Sequence, residues 1–577
     1  MLRKWGFFAL GVALILVGSL LAHLIQTAGG VKVRDVRFAG DGVTQSALLY
    51  VPSTATAARP APAVLVSHGY INTREMQSPF AIELARRGFV VLAMDMTGHG
   101  YSEGAVGQQK DLGGPAALRY LQSLPFVDKA AIGMEGHSMG GGPVMAAALS
   151  QPDGYRAIVL EGSTPRLLGG AAPESPRNLA VVFGQFDEFA PLMWQVPKGS
   201  EIENSKRLQK LFGVTGPVVE NQVYGSIPDG TAKVLVNPPI THPWEHFSGS
   251  GVGAAVDWFQ KTLPGAASPK PPGEQIWLWK EIGTLIAFVG FVYLLLGTFE
   301  LLLGLPVFAG LAQPAQPTAE RRGGKWWLAF VLTAAVPAVT YFPLMELGQV
   351  FAPMQIFPQY IHNQLLVWAL LNGLITLALS FVLRCGKPAF TTRWLPAVLI
   401  ALATVAVGYL SLVLVDAAFK TDYRFWVLGL KPLDGRHAVM ALPYVVLWAV
   451  FFLIALRALC ANLAVKGEGF LTQIATWKVA MCLGFVVLLV WEYATLFSTG
   501  VLATPKEPLN TIVAIQFVPL LAMVGAIAAF TYRRTNSYVP GALICALVLA
   551  WYVTGGTATH WYPGFKVQPP GAAAAKR

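Results

Sequence analysis

One serine in this sequence is surrounded by glycines in a pattern typical of nucleophilic catalysis. Ser138 lies in the stretch GMEGHSMGGG at residues 133–142, where Gly136 and Gly140 complete a G-x-S-x-G motif. An apolar, strand-like segment precedes the serine, and a run of small residues typical of a helix follows it. A strand-to-helix turn this sharp needs small neighbours and lifts the hydroxyl clear of the sheet, at the positive end of the helix. We therefore predict that Ser138 is a nucleophile.

A serine nucleophile needs a histidine base and a carboxylate that orients the base, and both residue types follow Ser138 in the chain. Asp187 comes just after the apolar segment NLAVVFG, where a strand end would place it, and Glu188 is the neighbouring alternative. Two histidines, His242 and His246, lie in the loop before the last helix of this region. We predict that Asp187 is the orienting acid and His242 the base, with His246 as the alternative base.

Acyl chemistry at a serine also needs backbone N–H donors for the negative charge that develops on the substrate oxygen. The first donor is expected from Met139, which directly follows the serine. The second is expected from Tyr70, in the loop after the apolar strand AVLVSHG. We therefore predict an oxyanion hole formed by the backbone N–H groups of Met139 and Tyr70.

The stretch HPWEH at residues 242–246 also fits the H-x-x-E-H pattern of one class of zinc peptidase. Zinc would need both histidines on one face of a helix and a third ligand. Pro243 and the neighbouring segments NPPIT and SGSG favour a loop instead. We therefore predict that the site holds no metal and needs no cofactor.

The elements that must position these residues lie between residues 30 and 272, where short apolar runs alternate with helical patterns. The runs APAVLVS, FVVLAMD, AAIGMEGH, RAIVLE and NLAVVFG are typical of strands that are covered on both faces. Two earlier segments, VKVRDVRF and TQSALLYVP, alternate apolar with polar residues and predict a leading antiparallel pair. The pattern predicts an α/β domain over residues 30–272, with a mostly parallel sheet and helices on both faces.

Five motifs of this region occur in a fixed order along the chain: VLVSHGY, DMTGHGYSEG, GHSMGG, FGQFDE and THPWEHFS. In this arrangement, residues 45–263 resemble the α/β-hydrolase superfamily, nearer its dienelactone hydrolase-like and esterase branches. The resemblance implies a Ser–His–Asp hydrolase that acts on an ester-type substrate through an acyl-enzyme. It also implies that Asp95, His99 and Ser102 are structural loop residues.

The chain as a whole is too apolar for a soluble protein. Of its 577 residues, 54% are hydrophobic and 13% are charged, whereas soluble proteins carry about 25% charged residues. Residues 1–29 form an apolar run long enough to span a bilayer and predict an uncleaved anchor, with a cleaved signal peptide as the alternative. A helical membrane domain is predicted over residues 273–560 and a flexible tail over residues 561–577. Further spans are expected near residues 276–304, 326–346, 364–383, 394–415, 439–459, 478–498, 510–531 and 538–557.

The placement of charges predicts an orientation and argues against one class of partner. The net charge is +11, but the basic residues flank apolar segments and do not form one cluster, so we expect no nucleic-acid partner. Basic residues retained in the cytoplasm place residues 30–272 outside the cytoplasmic membrane. The loop near residues 416–437 departs from this pattern.

The four cysteines lie in or beside apolar segments and predict no disulfide framework: Cys385, Cys460, Cys482 and Cys545.

These patterns predict a membrane-integrated serine hydrolase at the outer face of the cytoplasmic membrane. Its substrate is expected to be a small-molecule or lipid acyl ester, from which the acyl group is cleaved or transferred, and membrane lipids surround it. The alternative is a transporter or sensor whose hydrolase-like region is an accessory or inactive binding module. Such a protein would use charges in or near the spans, namely Glu300, Glu346, Glu492 and Arg457. The sequence does not set the oligomeric state.

Overall fold

The computed structural model describes residues 2–167, 170, 172–382 and 393–565. The chain begins with helix α1 (Leu2–Gln26) and continues into an eight-stranded sheet with its covering helices, here called the sheet domain. Its strands are β1 (Lys32–Gly40), β2 (Val43–Val51), β3 (Ala61–Ser67), β4 (Val90–Met94), β5 (Val127–His137), β6 (Ala157–Glu161), β7 (Leu179–Val182) and β8 (Lys233–Val236). Its helices are α2 (Ser78–Ala85), α3 (Gly114–Ser123), α4 (Gly141–Ser150), α5 (Ala190–Trp194), α6 (Lys206–Phe212) and α7 (Gly249–Thr262).

The strand order of the sheet is β1-β2-β4-β3-β5-β6-β7-β8. β1 pairs antiparallel with β2, β2 pairs antiparallel with β4, and every later pairing is parallel. The predicted mostly parallel α/β sheet with a leading antiparallel pair is therefore confirmed. Because parallel strands end at one edge, the loops after β3, β5 and β7 meet at the carboxyl edge of the sheet.

Each face of the sheet is covered by its own apolar core, which explains the continuous apolar runs of the strands. Leu65 of β3 packs with α3 and α4 on one face, and its neighbour Val64 packs with α2 and α7 on the other. Both side chains are fully buried. Alternate strand residues point to opposite faces, so a strand buried on both faces cannot show polar alternation.

The rest of the chain forms a bundle of long apolar helices, here called the helical bundle. Within the described residues, eight helices are long and apolar enough to cross a membrane, or nine if one bent pair counts as a single span. The elements that follow the sheet domain are α8 (Trp277–Leu302), α9 (Pro306–Ala309), α10 (Gly324–Val339), α11 (Tyr341–Gly348), α12 (Tyr360–Val382), α13 (Trp394–Phe419), β9 (Tyr423–Phe425), β10 (Leu428–Leu430), α14 (Gly435–Leu463), α15 (Phe470–Thr499), α16 (Pro508–Thr535) and α17 (Val539–Gly556).

The bent pair falls where the sequence predicts one span near residues 326–346. α10 and α11 meet at an angle of 44°. Pro337 lies in the last turn of α10, and a proline within a helix removes a backbone hydrogen bond and bends the axis.

The predictions for the cysteines and for the C-terminal tail concern residues that the structure describes only in part. Cys460, Cys482 and Cys545 are free thiols, and Cys385 lies outside the described residues. Of the predicted tail, residues 566–577 also lie outside the described residues. At its start, the backbone N–H of Trp561 donates a hydrogen bond to the Pro358 carbonyl at 3.2 Å.

Two of the charges near the spans have partners within the helical bundle. Glu300 forms an ion pair with Arg534. Glu492 accepts hydrogen bonds from the Thr504 hydroxyl at 2.6 Å and from the Thr504 backbone N–H at 3.1 Å. Such fixed pairs hold helix ends together, which is a structural role for these two acids.

The basic loop that departs from the predicted charge pattern binds the sheet domain to the helical bundle. Lys420 pairs with Asp35 at 2.7 Å, and Lys431 pairs with Glu75 at 3.1 Å. Arg436 donates a hydrogen bond to the Ser102 carbonyl at 2.9 Å. Lys420 and Lys431 of this loop therefore have a structural role, because they form ion pairs with the sheet domain.

Helix α1 belongs to the helical bundle, because its glycines lie directly against α8. A Cβ added at Gly11 would stand 2.5 Å from the Leu294 backbone nitrogen, and one added at Gly18 would stand 2.4 Å from the Gly283 carbonyl oxygen. Only glycine lets two backbones approach this closely, so these residues set the distance between the two helices.

We expect Gly11→Leu to separate α1 from α8 and to lower the stability of the purified protein by about 1–3 kcal/mol, the usual cost of overpacking. The matched control is Gly6→Leu in the same helix, because a Cβ there meets nothing within 4 Å. Thermal unfolding in detergent, followed by tryptophan fluorescence, measures both variants. Equal unfolding temperatures for the two variants would contradict the assigned contact.

Candidate active site

Ser138 lies in a strained turn between β5 and α4. Its φ is +54°, in the left-handed region that a non-glycine residue enters at a cost of about 1–3 kcal/mol. A Cβ at Gly136 would stand 2.4 Å from the Gly140 carbonyl oxygen, and a Cβ at Gly140 would stand 2.3 Å from the Ser67 carbonyl oxygen. The motif glycines are therefore required by the close backbone packing that forces the serine into this conformation.

The structure brings His242 and Asp187 into direct contact at the carboxyl edge of the sheet. His242 Nδ1 lies 2.8 Å from Asp187 Oδ2, and both residues are buried. Burial lowers the pKa of His242, but the negative charge of Asp187 and its hydrogen bond outweigh burial and raise that pKa above its usual value. With the Nδ1 proton directed at Asp187, Nε2 of the neutral ring is left as a proton acceptor.

The elements that carry Ser138 and His242 are neighbours. The ring of His137, which precedes the serine, lies 4.7 Å from the His242 ring between centroids. Ser163, which follows β6, donates a hydrogen bond from its hydroxyl to the Ser138 carbonyl at 2.6 Å. Among the described residues no hydrogen bond joins the Ser138 hydroxyl to His242. Such bonds commonly form only when substrate binds.

The predicted second oxyanion donor also lies beside the serine. A Cβ added at Gly69 would stand 3.1 Å from Ser138 Cβ, so the loop that carries Tyr70 passes directly over the turn. Within the described chain, no group accepts a hydrogen bond from the Tyr70 backbone N–H. Met139 is half-buried and directly follows the serine. The structure thus places the backbone of both predicted donors next to Ser138.

The alternative base, His246, points to a different partner. Its Nδ1 lies 3.2 Å from Gln77 Oε1, and Gln77 in turn donates to Glu135 Oε2 at 2.7 Å. Burial holds the pKa of His246 well below its usual value. Because His246 has no carboxylate to orient it, the geometry favours His242 as the base.

The zinc-like HPWEH stretch forms a 3-10 turn over residues His242–Phe247. Three ligand atoms of His137, His242 and Glu245 lie within 4.8 Å of one another, close enough to hold a metal ion. However, the His242 nitrogen that lies near Glu245 is Nδ1, 3.7 Å from Glu245 Oε2, and this atom already binds Asp187. A metal bound by all three residues would therefore break the contact between His242 and Asp187.

Asp95, His99 and Ser102, to which the resemblance gives a structural role, make contacts of their own. Asp95 accepts hydrogen bonds from the backbone N–H groups of Arg74 at 2.9 Å and Tyr101 at 3.0 Å. The Ser102 hydroxyl donates to the Asp95 carbonyl at 2.7 Å. His99 packs edge-on against Tyr70.

The sequence gives no indication that the helical bundle surrounds this site. Tyr493 of α15 donates a hydrogen bond to Glu188 Oε1 at 3.1 Å, while Glu188 Oε2 accepts from the His242 backbone N–H at 2.8 Å. The Tyr70 hydroxyl lies 2.9 Å from His560 Nε2. The contacts made by Tyr493 and His560 join residues more than 300 positions apart in the chain. No local sequence pattern could therefore reveal them.

Comparison with known proteins supports the fold and the family. Residues 58–186 match the family described as serine aminopeptidase, S33. The quorum-quenching protein AidA of Acinetobacter baumannii (strain MDR-ZJ06) is 35% identical over 120 residues, which are 20% of this chain and 38% of AidA. The aligned part therefore spans well under half the length of that curated relative.

Three solved structures are similar to the sheet domain. A bacterial heroin esterase is 21% identical, over 44% of this chain and 89% of its own, with a TM-score of 0.31. An esterase of Pyrobaculum calidifontis is 17% identical, over 44% and 88%, with a TM-score of 0.29. The dienelactone hydrolase of Anabaena variabilis ATCC 29413 is 19% identical, over 40% and 99%, with a TM-score of 0.28. The match over residues 58–186 includes β3 to β7 and the Ser138 turn, so together with the strand order it shows that the sheet domain has the fold of the α/β-hydrolases, and it supports a serine hydrolase.

Proposed function

We propose that this protein is a membrane-integrated serine hydrolase that cleaves an ester-type substrate through an acyl-enzyme. Ser138 Oγ attacks the carbonyl carbon while His242 Nε2 takes its proton, and the N–H groups of Met139 and Tyr70 stabilise the oxyanion. His242 then protonates the leaving alcohol as the ester bond breaks. Water, or an acceptor alcohol, repeats the sequence on the acyl-enzyme and frees Ser138.

The observation that carries this proposal is the 2.8 Å contact between His242 Nδ1 and Asp187 Oδ2 beside the strained Ser138 turn. An oriented base near a serine in this conformation has no structural purpose that would repay the strain. The positive end of α4 adds to the stabilisation of the oxyanion.

We further propose that the sheet domain lies at the outer face of the cytoplasmic membrane. The ends of the helical bundle away from the sheet domain carry basic residues, as cytoplasmic ends do. These residues are Arg321, Arg322, Lys466, Arg533 and Arg534. The basic loop on the near side departs from this pattern, and two of its residues, Lys420 and Lys431, pair with Asp35 and Glu75 of the sheet domain.

A fluorescent fluorophosphonate, which reacts with activated serines, tests the nucleophile. We expect the detergent-solubilised protein to be labelled and Ser138→Ala to show no labelling, because the phosphorus must bond to Ser138 Oγ. Ser163→Ala is the matched control for a neighbouring hydroxyl, since Ser163 only donates to the Ser138 carbonyl. Labelling that persists in Ser138→Ala, or that is absent from the folded wild type, would contradict the proposal.

The raised pKa of His242 predicts how the labelling rate depends on pH. Only the neutral imidazole can take the serine proton, so the rate should fall as the pH drops through a pKa above the usual 6.5 of histidine. In Asp187→Asn labelling should be about 10⁴-fold slower, and because the attraction is lost while burial remains, the midpoint of this residual rate should move to lower pH. Labelling rates between pH 5 and about 9 measure both curves, where histidine titrates. A midpoint that does not move in Asp187→Asn would contradict the assigned pair.

A further inference from the structure

Three cavities form a row that leads from the proposed oxyanion loop into the helical bundle. Cavity A lies between the sheet domain and the helices. Cavity B lies among α12, α14, α15, α16 and α17. Cavity C lies among α10, α12, α14, α15 and α16.

The cavities are neighbours, because they share walls. Cavities A and B are both lined by Leu365, Val513, Gln516, Tyr552 and Val553. Cavities B and C are both lined by Trp368, Phe451, Ala455, Met481 and Leu521. Along α12 the lining runs from Ile361 to Ser380, which corresponds to about 28 Å at the rise of an α-helix. That length is most of the roughly 30 Å hydrocarbon thickness of a bilayer.

Cavity A begins beside the loop that carries Tyr70. Its wall includes Ile71, which directly follows Tyr70 and has a φ of +54°. The opposite wall is the hairpin β9–β10, and Trp426 at its tip donates a hydrogen bond to the Pro243 carbonyl at 3.2 Å. Cavity A therefore lies between the oxyanion loop and a hairpin that touches the turn carrying His242.

The chemistry of the walls changes along the row. Cavity A has polar groups, among them Asn72, Arg424 and Lys431, whose charges are balanced by Asp422 and Glu75. Cavity B is lined by aromatic and aliphatic side chains, with Gln516 as its one amide. Gln516 Oε1 accepts a hydrogen bond from the Tyr552 hydroxyl. An apolar space of this kind disfavours water and favours a hydrocarbon chain.

We propose that cavities A, B and C hold the long acyl chain of the substrate, so that the substrate is a lipid ester drawn from the bilayer. This inference rests on the proposed function, because it places the ester carbonyl at Ser138 and the chain along the row. The helical bundle then acts as the binding site that selects acyl length. Half-buried lining residues of cavity C, such as Leu332 and Leu379, place its wall near the outer surface of the helices, where a lipid chain can enter.

Filling the row tests the proposal without touching the catalytic groups. Ala455 lines both cavities B and C, so Ala455→Trp should block the chain beyond cavity A. The matched control is Val450→Trp in the same helix, at a side chain 45% exposed on the outer surface. We expect Ala455→Trp to lower kcat/KM for a p-nitrophenyl ester of a C16 acid by roughly 10–200-fold. Hydrolysis of p-nitrophenyl acetate and fluorophosphonate labelling should stay within about twofold, because neither reaches past cavity A.

A binding measurement separates this proposal from the proposed function. A diazirine-bearing C16 fatty acid, photolysed with the Ser138→Ala protein, should crosslink to α12, α14 and α16, and Ala455→Trp should remove those crosslinks. Ala455→Leu gives a milder blockage if the tryptophan variant does not fold. Equal loss of C16 and acetate hydrolysis, or unchanged crosslinking in Ala455→Trp, would overturn the acyl-chain site. Loss of labelling in the wild type with crosslinking retained would overturn the catalytic proposal alone.

Discussion

Replacing His242 by alanine is expected to lower kcat/KM for ester hydrolysis by about 10⁴- to 10⁶-fold, the range seen when a serine hydrolase loses its base. The reason is the 2.8 Å contact with Asp187, which holds one ring nitrogen and leaves the other for the Ser138 proton. Initial rates with a chromogenic short-chain ester measure the effect.

His246→Ala is the matched control, because the two histidines lie in one turn and are both buried. His246 contacts Gln77 and stacks on His137, with ring centroids 3.6 Å apart, so its loss removes packing and not a base. We expect kcat/KM of the folded variant to stay within about tenfold of the wild type and its unfolding temperature to fall. A variant that loses activity as completely as His242→Ala, with unchanged stability, would reassign the base to His246.

Local sequence patterns were sufficient to predict the sheet and the proposed catalytic residues. β3 and β4 are buried along their whole length, so their apolar runs stand out in the sequence. The Ser138 turn was predictable because close backbone packing admits only glycine at its flanks. Asp187 and His242 each follow a strand, and the carboxyl ends of neighbouring parallel strands meet at one edge.

The contacts between the two halves of the molecule were not predictable in this way. Lys431 reaches Glu75, and Tyr493 reaches Glu188, across 356 and 305 positions of chain. Nothing in the local sequence distinguishes these residues, and only the complete fold brings the pairs together. Their one trace in the sequence was the basic loop near residues 416–437, which departs from the orientation pattern and whose Lys420 and Lys431 pair with the sheet domain.

The way the two halves meet has a consequence for access to the proposed site. The carboxyl edge of the sheet contacts the ends of α15 and α17 and the hairpin β9–β10, through residues such as Phe497 and Trp426. Phe186 packs on Phe497, and Trp244 packs on Trp426. The side of the domain that carries Ser138 thus faces the helical bundle, as the proposed acyl-chain site requires.

Asp187→Asn is expected to lower kcat/KM by about 10⁴-fold while the protein stays folded, the loss typical of a triad whose orienting acid becomes an amide. An asparagine at this position can donate a hydrogen bond to Nδ1, which stabilises the ring tautomer that carries its proton on Nε2. It also carries no charge to stabilise the imidazolium formed when His242 takes the Ser138 proton. Ester hydrolysis and unfolding temperature, measured on the same preparation, separate catalysis from folding.

Glu188→Gln is the matched control, because the next residue carries the alternative carboxylate. Glu188 binds the His242 backbone N–H and the Tyr493 hydroxyl, and not the imidazole. Burial and the charge of Asp187 raise the pKa of Glu188 to about 7, so it is partly neutral at physiological pH, whereas an orienting acid must stay charged. A glutamine keeps one oxygen to accept from the His242 N–H, and its NH2 group can donate to the Tyr493 hydroxyl oxygen, so we expect kcat/KM within about tenfold of the wild type. If activity were lost in Glu188→Gln and kept in Asp187→Asn, the two roles would be exchanged. Glu188, which accepts a hydrogen bond from Tyr493 of the helical bundle, would then be the acid that orients His242.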